Sequence, residues 1–291
     1  MSITLPAKIA GITIRTSGAL ATDPTLKFCG LIIGPPKVGK TTFLMSLAQA
    51  IEKHEGKPSL IIACEPADGG GLLSIASGNI PFVQPTTLDE LKTILSALQS
   101  DRTFGGVFLD NAGELVSCLM KPVAMSLPSR ENQASRSVAG VPERSDYQTM
   151  GELFRRDVLL PLLNLSKHKD PQVRKHVVIT TLPKDKTDKT GALLKILPDL
   201  PGAMALSVQA LVQFVGGIEM MADKQMVDGK LVVTKERFLV SERDAYHDYA
   251  DRYNVFPPKC PTDMVAFWEK HWLPRQTKAT VITTIESETK Q

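Results

Sequence analysis

Residues 28–43 read FCGLIIGPPKVGKTTF, and this stretch decides the fold class of the chain. The continuous apolar run Phe28–Ile33 predicts a buried strand that ends at Gly34. Apolar residues recur with helical spacing from Thr41 to Lys53, which predicts an amphipathic helix. The residues that join the two elements, Gly34–Thr41, fit the pattern G-x-x-x-x-G-K-[ST] without a mismatch. A strand, a glycine-rich loop and a helix in this order predict a phosphate-binding loop.

The residue types of this loop explain the chemistry that we expect from it. Its glycines let backbone N–H groups turn inward around phosphate oxygens, and the helix presents its positive end to them. Lys40 is expected to reach the β- and γ-phosphates, and the Thr41 hydroxyl is expected to ligate Mg²⁺. The ligands are then ATP and Mg²⁺. The nucleotide-binding residues that we predict are Gly34, Pro35, Pro36, Lys37, Val38, Gly39, Lys40, Thr41 and Thr42.

An acidic residue should accompany such a loop and help to hold the metal ion. Residues 106–110, GVFLD, form an apolar run that ends in Asp110, which predicts a buried strand with a carboxylate at its carboxyl end. We therefore predict that Thr41 and Asp110 together hold Mg²⁺.

Hydrolysis also requires a group that activates water. Asp110 is followed by Asn111 and not by a glutamate, so two other residues are candidates. Glu114 lies one helical turn further on. Glu65 follows the apolar run at residues 59–64, which we expect to form a strand beside the strand of the phosphate loop. We favour Glu65, because a carboxylate at the end of an adjacent strand points into the crevice where ligands bind.

Further strands alternate with helices along the chain, which predicts an α/β fold with a mostly parallel sheet. A helix is expected at Leu88–Leu98 and another at Tyr147–Ser166, where Pro161 should end or kink it. His176–Thr181 is a fourth strand. Two more strands, at residues 211–221 and 231–241, are joined through Asp228-Gly229, which is typical of a hairpin at one edge of the sheet.

The chain reads as one main domain with short additions at both ends. Residues 1–24 form a lead-in with a short strand at residues 9–16, and residues 25–258 form the core. Residues 259–291 form a final helix, expected at 262–272, and a polar tail. Residues 120–145 are rich in proline and serine, carry Arg130, Arg136 and Arg144, and are predicted to form a long surface loop.

Composition excludes several classes of protein. The 291 residues include 34 Lys+Arg and 31 Asp+Glu, and 43% are hydrophobic, which is typical of a soluble globular protein and excludes wholesale disorder. No apolar run is long enough to span a membrane, and the start does not read as a signal peptide. Four cysteines without a C-x-x-C pair offer neither a zinc knuckle nor a disulfide framework. We therefore expect a cytoplasmic protein.

The ordered set of motifs resembles the RecA-type ATPase core and, more narrowly, the phage-encoded RecA-like ATPases of the "AAA domain" family. That group is implicated in single-strand DNA annealing and recombination. The resemblance covers roughly residues 25–258 and rests on GPPKVGKTTF (34–43), VFLDNAGEL (107–115), SDYQTMG (145–151) and PDLPG (198–202). It implies a viral protein of the host cytoplasm that acts on single-stranded DNA in recombination, repair or replication.

The resemblance also implies roles for single residues. Glu65 would activate water, and the strand His176–Thr181 would end in a sensor of the γ-phosphate, here Thr180 or Thr181, of which we choose Thr181. Relatives often carry a Lys-Asp-Arg triplet whose cations reach the nucleotide of a neighbouring subunit. This chain reads Ala250-Asp251-Arg252, without the lysine. Arg252 is then the expected arginine finger, with Lys235 or Arg237 as substitutes, and the protein should form rings or filaments.

The segment Lys184–Gly191 lies where RecA-type proteins place a loop that contacts DNA. We predict that Lys184, Lys186 and Lys189 neutralise DNA phosphates without reading sequence. Asp185 and Asp188 dilute the charge, and the segment has no aromatic residue on which a base could stack. Single-stranded DNA, further copies of the chain and a viral single-strand-binding protein are the expected partners.

Two other functions remain open from the sequence. A P-loop kinase for a small molecule would need an arginine-bearing lid over the phosphates, and the arginines at 130–144 are compatible with one. A nucleotide-binding assembly or helicase-loading protein without hydrolysis is compatible with the missing lysine at Ala250.

Overall fold

The computed structural model describes residues 8–9, 12–13, 23, 25–64, 79–127, 141–227 and 230–274, with the backbone alone at 8–9, 12–13, 223–227 and 230–234. The strands of these residues are β1 (Lys8–Ile9), β2 (Ile12–Thr13), β3 (Cys29–Ile33), β4 (Ser59–Ala63), β5 (Phe82–Val83), β6 (Gly106–Asp110), β7 (His176–Thr181), β8 (Pro183–Thr187), β9 (Leu193–Pro198), β10 (Phe214–Val227), β11 (Lys230–Val240), β12 (Ala250–Asp251) and β13 (Lys259–Pro261).

The helices described are α1 (Lys40–Glu55), α2 (Leu88–Leu98), α3 (Ala112–Leu115), α4 (Lys121–Ser126), α5 (Arg144–Leu153), α6 (Leu160–Ser166), α7 (Met204–Leu211) and α8 (Met264–Phe267). Wider π-helical turns continue them at Val116–Met120, Phe154–Leu159 and Trp268–Trp272.

Within the described residues, nine strands form one mixed sheet in the order β13-β11-β10-β3-β7-β6-β4-β5, with β12 paired to β10. The strands from β10 to β5 pair in parallel, whereas β11, β12 and β13 add antiparallel pairs at one edge. The predicted α/β fold, a mostly parallel sheet with an antiparallel hairpin, is therefore confirmed.

Two apolar clusters cover the two faces of the sheet. On one face, α1 buries Phe43, Leu44 and Leu47 against the sheet, and Trp268 and Trp272 join the same cluster. Helices α2 to α7 cover the other face. Because β13 pairs with β11 and both tryptophans are buried, the core continues past residue 258, where we expected it to end.

The strand order corrects one expectation about Glu65. Its strand, β4, is not beside β3, because β7 and β6 lie between the two. Ala63 instead pairs with Asp110 on β6. A buried apolar run identifies a strand but not its neighbours, which long-range pairing decides.

The segment with the three lysines, predicted to be a loop, is a β-hairpin. Strands β8 and β9 pair antiparallel, from Pro183 opposite Pro198 to Thr187 opposite Leu193. Lys189 lies in the turn between them, where Asp188 bonds to the backbone N–H of Thr190. The charged sequence hides the strand because both faces of the hairpin are largely exposed to solvent.

Other differences concern the ends of elements. The short strand expected at 9–16 is two strands, β1 and β2, paired with each other. The predicted loop at 120–145 contains α4 and the start of α5, while residues 128–140, with Arg130 and Arg136, lie outside the described residues. The helical chain continues through Pro161, which follows the π-helical turn Phe154–Leu159 and lies in the first turn of α6. A proline is tolerated in the first turn of a helix.

Candidate nucleotide site

The phosphate loop leaves β3 at Gly34 and enters α1 at Lys40. Lys37 and Gly39 have positive φ angles, 61° and 106°, which turn the loop back on itself before the helix. Gly39 has no side chain that could cap the helix, and the first turn, KTTF, carries no acidic residue. The N–H groups at the positive end of a 16-residue helix are therefore offered to an anion.

Lys40 holds its ammonium group over this loop. Its Nζ donates hydrogen bonds to the carbonyl oxygens of Gly34, at 2.8 Å, and Pro35, at 2.9 Å. The side chain is 8% exposed, so the charge sits at the mouth of the loop and is shielded from bulk water. A phosphate bound in the loop would meet this charge directly.

The two residues predicted to hold Mg²⁺ are in contact. The Thr41 hydroxyl donates to Asp110 Oδ2 at 2.8 Å, although the residues come from different elements of the fold. Asp110 is 6% exposed at the carboxyl end of β6. A hydroxyl and a carboxylate oxygen are hard ligands of the kind that Mg²⁺ binds, so this donor set fits the metal.

The sensor residue chosen from the sequence, Thr181, does not face this carboxylate. Its hydroxyl donates to the carbonyl of Leu182 at 3.3 Å, and its own carbonyl accepts the N–H of Gly34 at 3.1 Å. Thr180 donates its hydroxyl to Asp110 Oδ1. Alternation along β7 places only one of the two threonines on the face of α1, and that one is Thr180.

The structure describes only one of the two candidate bases. Glu65 lies outside the described residues; Cys64, the residue before it, donates its N–H to the Asp110 carbonyl at 2.8 Å. Glu114 lies on α3, where its backbone N–H donates to the side chain of Asn111 at 2.9 Å. Asn111 therefore caps α3, which explains why this residue follows Asp110.

A small cavity of about 150 Å³ continues from Asn111. Glu114, Tyr147 and Lys184 line it. Lys184 also forms an ion pair with Asp199, at 3.4 Å, with 61% of its side chain exposed. Of the three predicted DNA-binding lysines, the structure therefore places one beside the candidate nucleotide site.

The other two lysines lie further along the hairpin. Lys186 pairs with Lys195 across the two strands, and Lys189 is exposed in the turn. Lys184 and Lys186 share one face of the hairpin because strand residues alternate between faces.

A larger groove of about 690 Å³ adjoins the small cavity, since Tyr147 and Pro201 line both. The helix that begins at Arg144 lines this groove with the side chains of one exposed face: Arg144, Tyr147, Gln148 and Arg155. The sequence did not indicate this groove, because residues 144 and 145 were assigned to a loop. The spacing 144, 147, 148, 155 is the signal that identifies one helical face.

Arg252, the expected finger, is not part of the site in its own chain. Its backbone N–H donates to Gln213, whose own N–H donates to Cys29 at the start of β3, whereas the phosphate loop follows the end of that strand. The guanidinium donates to the carbonyl of Ala210 at 3.1 Å. A role in the site of a neighbouring subunit stays a prediction. Arg237, in contrast, lies against Gly39 of the phosphate loop.

No group of three or more His, Cys, Asp or Glu side chains in the described residues is arranged to hold a metal ion. None of the described helices is long and apolar enough to cross a membrane.

Comparisons with known proteins give one family match and likenesses to solved structures. A family model described as "AAA domain" matches residues 26–252, and no curated protein matches the chain. The crystal structure of the flagellar accessory protein FlaH from Methanocaldococcus jannaschii is 10% identical, with a TM-score of 0.36, covering 79% of this chain and 82% of that chain. The KaiC-like protein PH0186 from Pyrococcus horikoshii OT3 is 15% identical, with a TM-score of 0.38, covering 72% and 76%.

Proposed function

Because the chain belongs to the AAA domain family, we propose that it is a Mg²⁺-dependent ATPase that acts on single-stranded DNA. The observation that carries the ATPase part is the contact between Thr41 and Asp110 beneath the phosphate loop. That contact brings a metal-binding hydroxyl and carboxylate together beside the Lys40 ammonium group.

In this proposal each residue has one task. The loop N–H groups and Lys40 bind the β- and γ-phosphates, and Thr41 and Asp110 hold the metal ion that neutralises their charge. Glu65 accepts a proton from the attacking water. The water oxygen then bonds to the γ-phosphorus while the bond to the β–γ bridging oxygen breaks, and ADP and phosphate leave.

The DNA part rests on the groove beside the site. Tyr147 is 46% exposed there and offers a ring on which a base can stack. Arg144 and Arg155 line the groove, and Lys184 lines the small cavity that adjoins it. An aromatic platform flanked by cations is the arrangement that binds single strands without reading their sequence. The groove thus supplies the aromatic residue that the lysine segment lacks.

A direct connection between the groove and the candidate nucleotide site supports coupling of the two. Asn111 lies next to Asp110 in the chain and lines the small cavity that ends at Tyr147. Only this cavity and Asn111 then lie between a strand bound at Tyr147 and the carboxylate that is proposed to hold Mg²⁺. We expect DNA to stimulate hydrolysis through this contact, in assemblies of several copies.

Hydrolysis of ATP, measured with and without single-stranded DNA, tests the proposal. We expect stimulation by DNA in the wild type and none in Lys40→Ala. Tyr147→Ala should weaken binding of a labelled oligonucleotide about tenfold, as expected for one lost stacking contact. Phe82→Ala is the matched control, because Phe82 is an exposed aromatic residue on the edge strand β5, and it should bind DNA normally.

Three results would contradict the proposal in different ways. Nucleotide binding without turnover would favour the non-hydrolysing assembly, and transfer of phosphate to a metabolite would favour the kinase. Equal DNA binding by Tyr147→Ala and the wild type would remove the groove from the proposal while the ATPase part stands.

A further inference from the structure

One arginine of the β10–β11 hairpin lies on the phosphate loop of its own chain. A β-carbon built on Gly39 would stand 2.8 Å from Cδ and 2.9 Å from Nε of Arg237. Real β-carbons essentially never make contacts this short, so the arginine would have to shift if Gly39 carried a side chain. Arg237 therefore packs directly against the last loop residue before Lys40.

The register of the hairpin explains this position. The carbonyl oxygen of Ile218 on β10 would stand 3.4 Å from a β-carbon on Gly34, so the hairpin passes the first residue of the loop. Leu239 on β11 pairs with Ile218, and Arg237 pairs with Met220. Leu239 is buried in the same cluster as the apolar side of α1. Because side chains alternate along a strand, Arg237, two residues before Leu239 on β11, lies on the same face. This places it beside the start of α1.

The charges around the loop favour an anion as its ligand. Lys37 is an exposed residue of the loop, Lys40 holds its ammonium group over it, and Arg237 packs against Gly39, at the positive end of α1. Side chains alternate between the two faces of the hairpin, so Glu219 and Glu236 lie on the face opposite to Arg237 and point away from the loop. Like charges repel at short range, so gathering three cations here is unfavourable unless a polyanion binds among them.

The Arg237 side chain is also available. It is exposed, and within the part of the chain that the structure describes its guanidinium has no hydrogen-bond or ion-pair partner. A guanidinium presents a planar fork of donors that matches two phosphate oxygens.

We propose that Arg237 binds the polyphosphate of the nucleotide held in the loop of its own chain. This inference rests on the proposed nucleotide-binding function and adds a contact in cis. It differs from the finger expected from the resemblance, which would reach the nucleotide of a neighbouring subunit. Arg237 would then neutralise charge in every subunit, whatever the state of assembly.

Calorimetric titration with ATP, ADP and inorganic pyrophosphate, each with Mg²⁺, tests the contact. Arg237→Ala should weaken all three about tenfold or more, since a charge-assisted hydrogen bond is lost. Arg237→Lys should lose less, because the charge remains while the fork is lost. Arg102→Ala is the matched control: Arg102 is exposed, pairs with Asp170 and precedes β6, at the opposite end of the sheet. Its affinities should equal those of the wild type.

The three ligands separate the possible results. Unchanged affinities in Arg237→Ala would overturn the inference. A loss for ADP but not for pyrophosphate would place the arginine on the base or ribose, which also overturns a phosphate contact. If the wild type bound no nucleotide, the proposed function itself would fail, and this contact with it.

Mixed subunits distinguish a contact in cis from one in trans. Lys40→Ala and Arg237→Ala subunits should recover no ATP hydrolysis when combined, because no subunit then has both groups. Recovery in mixtures shown to co-assemble would mean that Arg237 acts on a neighbour, and would overturn the cis contact.

Discussion

The two ends of the main sheet both bury a lysine, but they use it differently. At the carboxyl end of β3, Lys40 lies over a loop whose shape suits an anion. At the amino end of β7, Lys175 is fully buried, with its Nζ 2.7 Å from the carbonyl of Asp101 and 3.1 Å from the carboxylate of the same residue. One end is open to a ligand, whereas the other is closed by the protein itself.

The closed end is completed by a histidine. His176 accepts the N–H of Phe28 at Nδ1, at 2.9 Å, so Nε2 carries the proton and donates to Glu55 at 2.7 Å. Lys27 pairs with the other oxygen of Glu55. These contacts join β3, β7 and the end of α1, and the ring of Trp268 packs edge-on against His176. Buried polar groups that satisfy one another indicate a structural role, so burial alone does not identify a functional residue.

The largest expected difference between the two ends concerns the two lysines. Lys40→Ala should reduce ATP hydrolysis by about a hundredfold or more and leave the protein folded, because Lys40 serves the ligand. Lys175→Ala should lower the free energy of unfolding by about 3 kcal/mol with normal nucleotide affinity, because it breaks a buried ion pair. Urea unfolding and ATPase rates measure both. Normal hydrolysis by folded Lys40→Ala would remove the distinction between the ends.

A second prediction tests which glutamate at the open end activates water. Glu65→Gln should retain ATP binding but lose hydrolysis by about a hundredfold, as expected when a general base is removed. Glu114→Gln is the control and should change the rate little, since the backbone N–H of Glu114, not its carboxylate, bonds to Asn111. Single-turnover assays separate binding from chemistry. If Glu114→Gln had the larger effect, the base would be on α3.

The closed end should respond to pH. Burial raises the pKa of Glu55, but His176 and Lys27 outweigh this effect and lower it to about 2. The folded protein thus holds the carboxylate ionised where the unfolded chain does not, so this stabilisation is present above about pH 4.5 and is lost as the pH falls towards 2. We expect a loss on the order of 2 kcal/mol in the free energy of unfolding.

Urea denaturation between pH 7 and pH 3 measures this loss. Glu55→Gln should flatten that part of the profile, whereas Glu52→Gln, an exposed position on the same helix, should not. The same profile in Glu55→Gln and the wild type would show that the acid sensitivity comes from other groups.

The smallest expected effect lies on the β8–β9 hairpin. Replacing Lys184, Lys186 and Lys189 by alanine should lower the salt dependence of single-stranded DNA binding by a slope of about 2, given about 0.7 for each phosphate contact. The loss should be equal for all DNA sequences, because phosphates carry no sequence information. Titrating labelled oligonucleotides at several salt concentrations measures it. An unchanged slope would mean that this hairpin is only a solvated surface.

Much of the open end could be predicted from the sequence because its signals are local. The strand β3, the loop and the helix α1 are neighbours in the chain, and each has its own pattern of apolar residues and glycines. Asp110 was predicted for the same reason, since an apolar run ends in it. Its contact with Thr41 then follows from the way parallel strands align their carboxyl ends.

Other parts depend on which strands pair, and the sequence does not show this. The insertion of β7 between β3 and β6 brings Thr180, and not Thr181, to Asp110. A run in which every residue is buried, such as His176–Thr181, has no alternation that shows which residues share a face. Arg237 is a similar case, because its distance from Gly39 depends on the register of β11.

The sequence by itself determined that this chain has an α/β fold with a phosphate loop, because local patterns of burial, glycine and charge specify each element. The tertiary structure decided which side chains meet: Thr180 with Asp110, Arg237 with Gly39, and Tyr147 with the cavity at Asn111. Those contacts join segments far apart in the chain. Such contacts arise only when the two apolar faces of the sheet are covered and its register is thereby set.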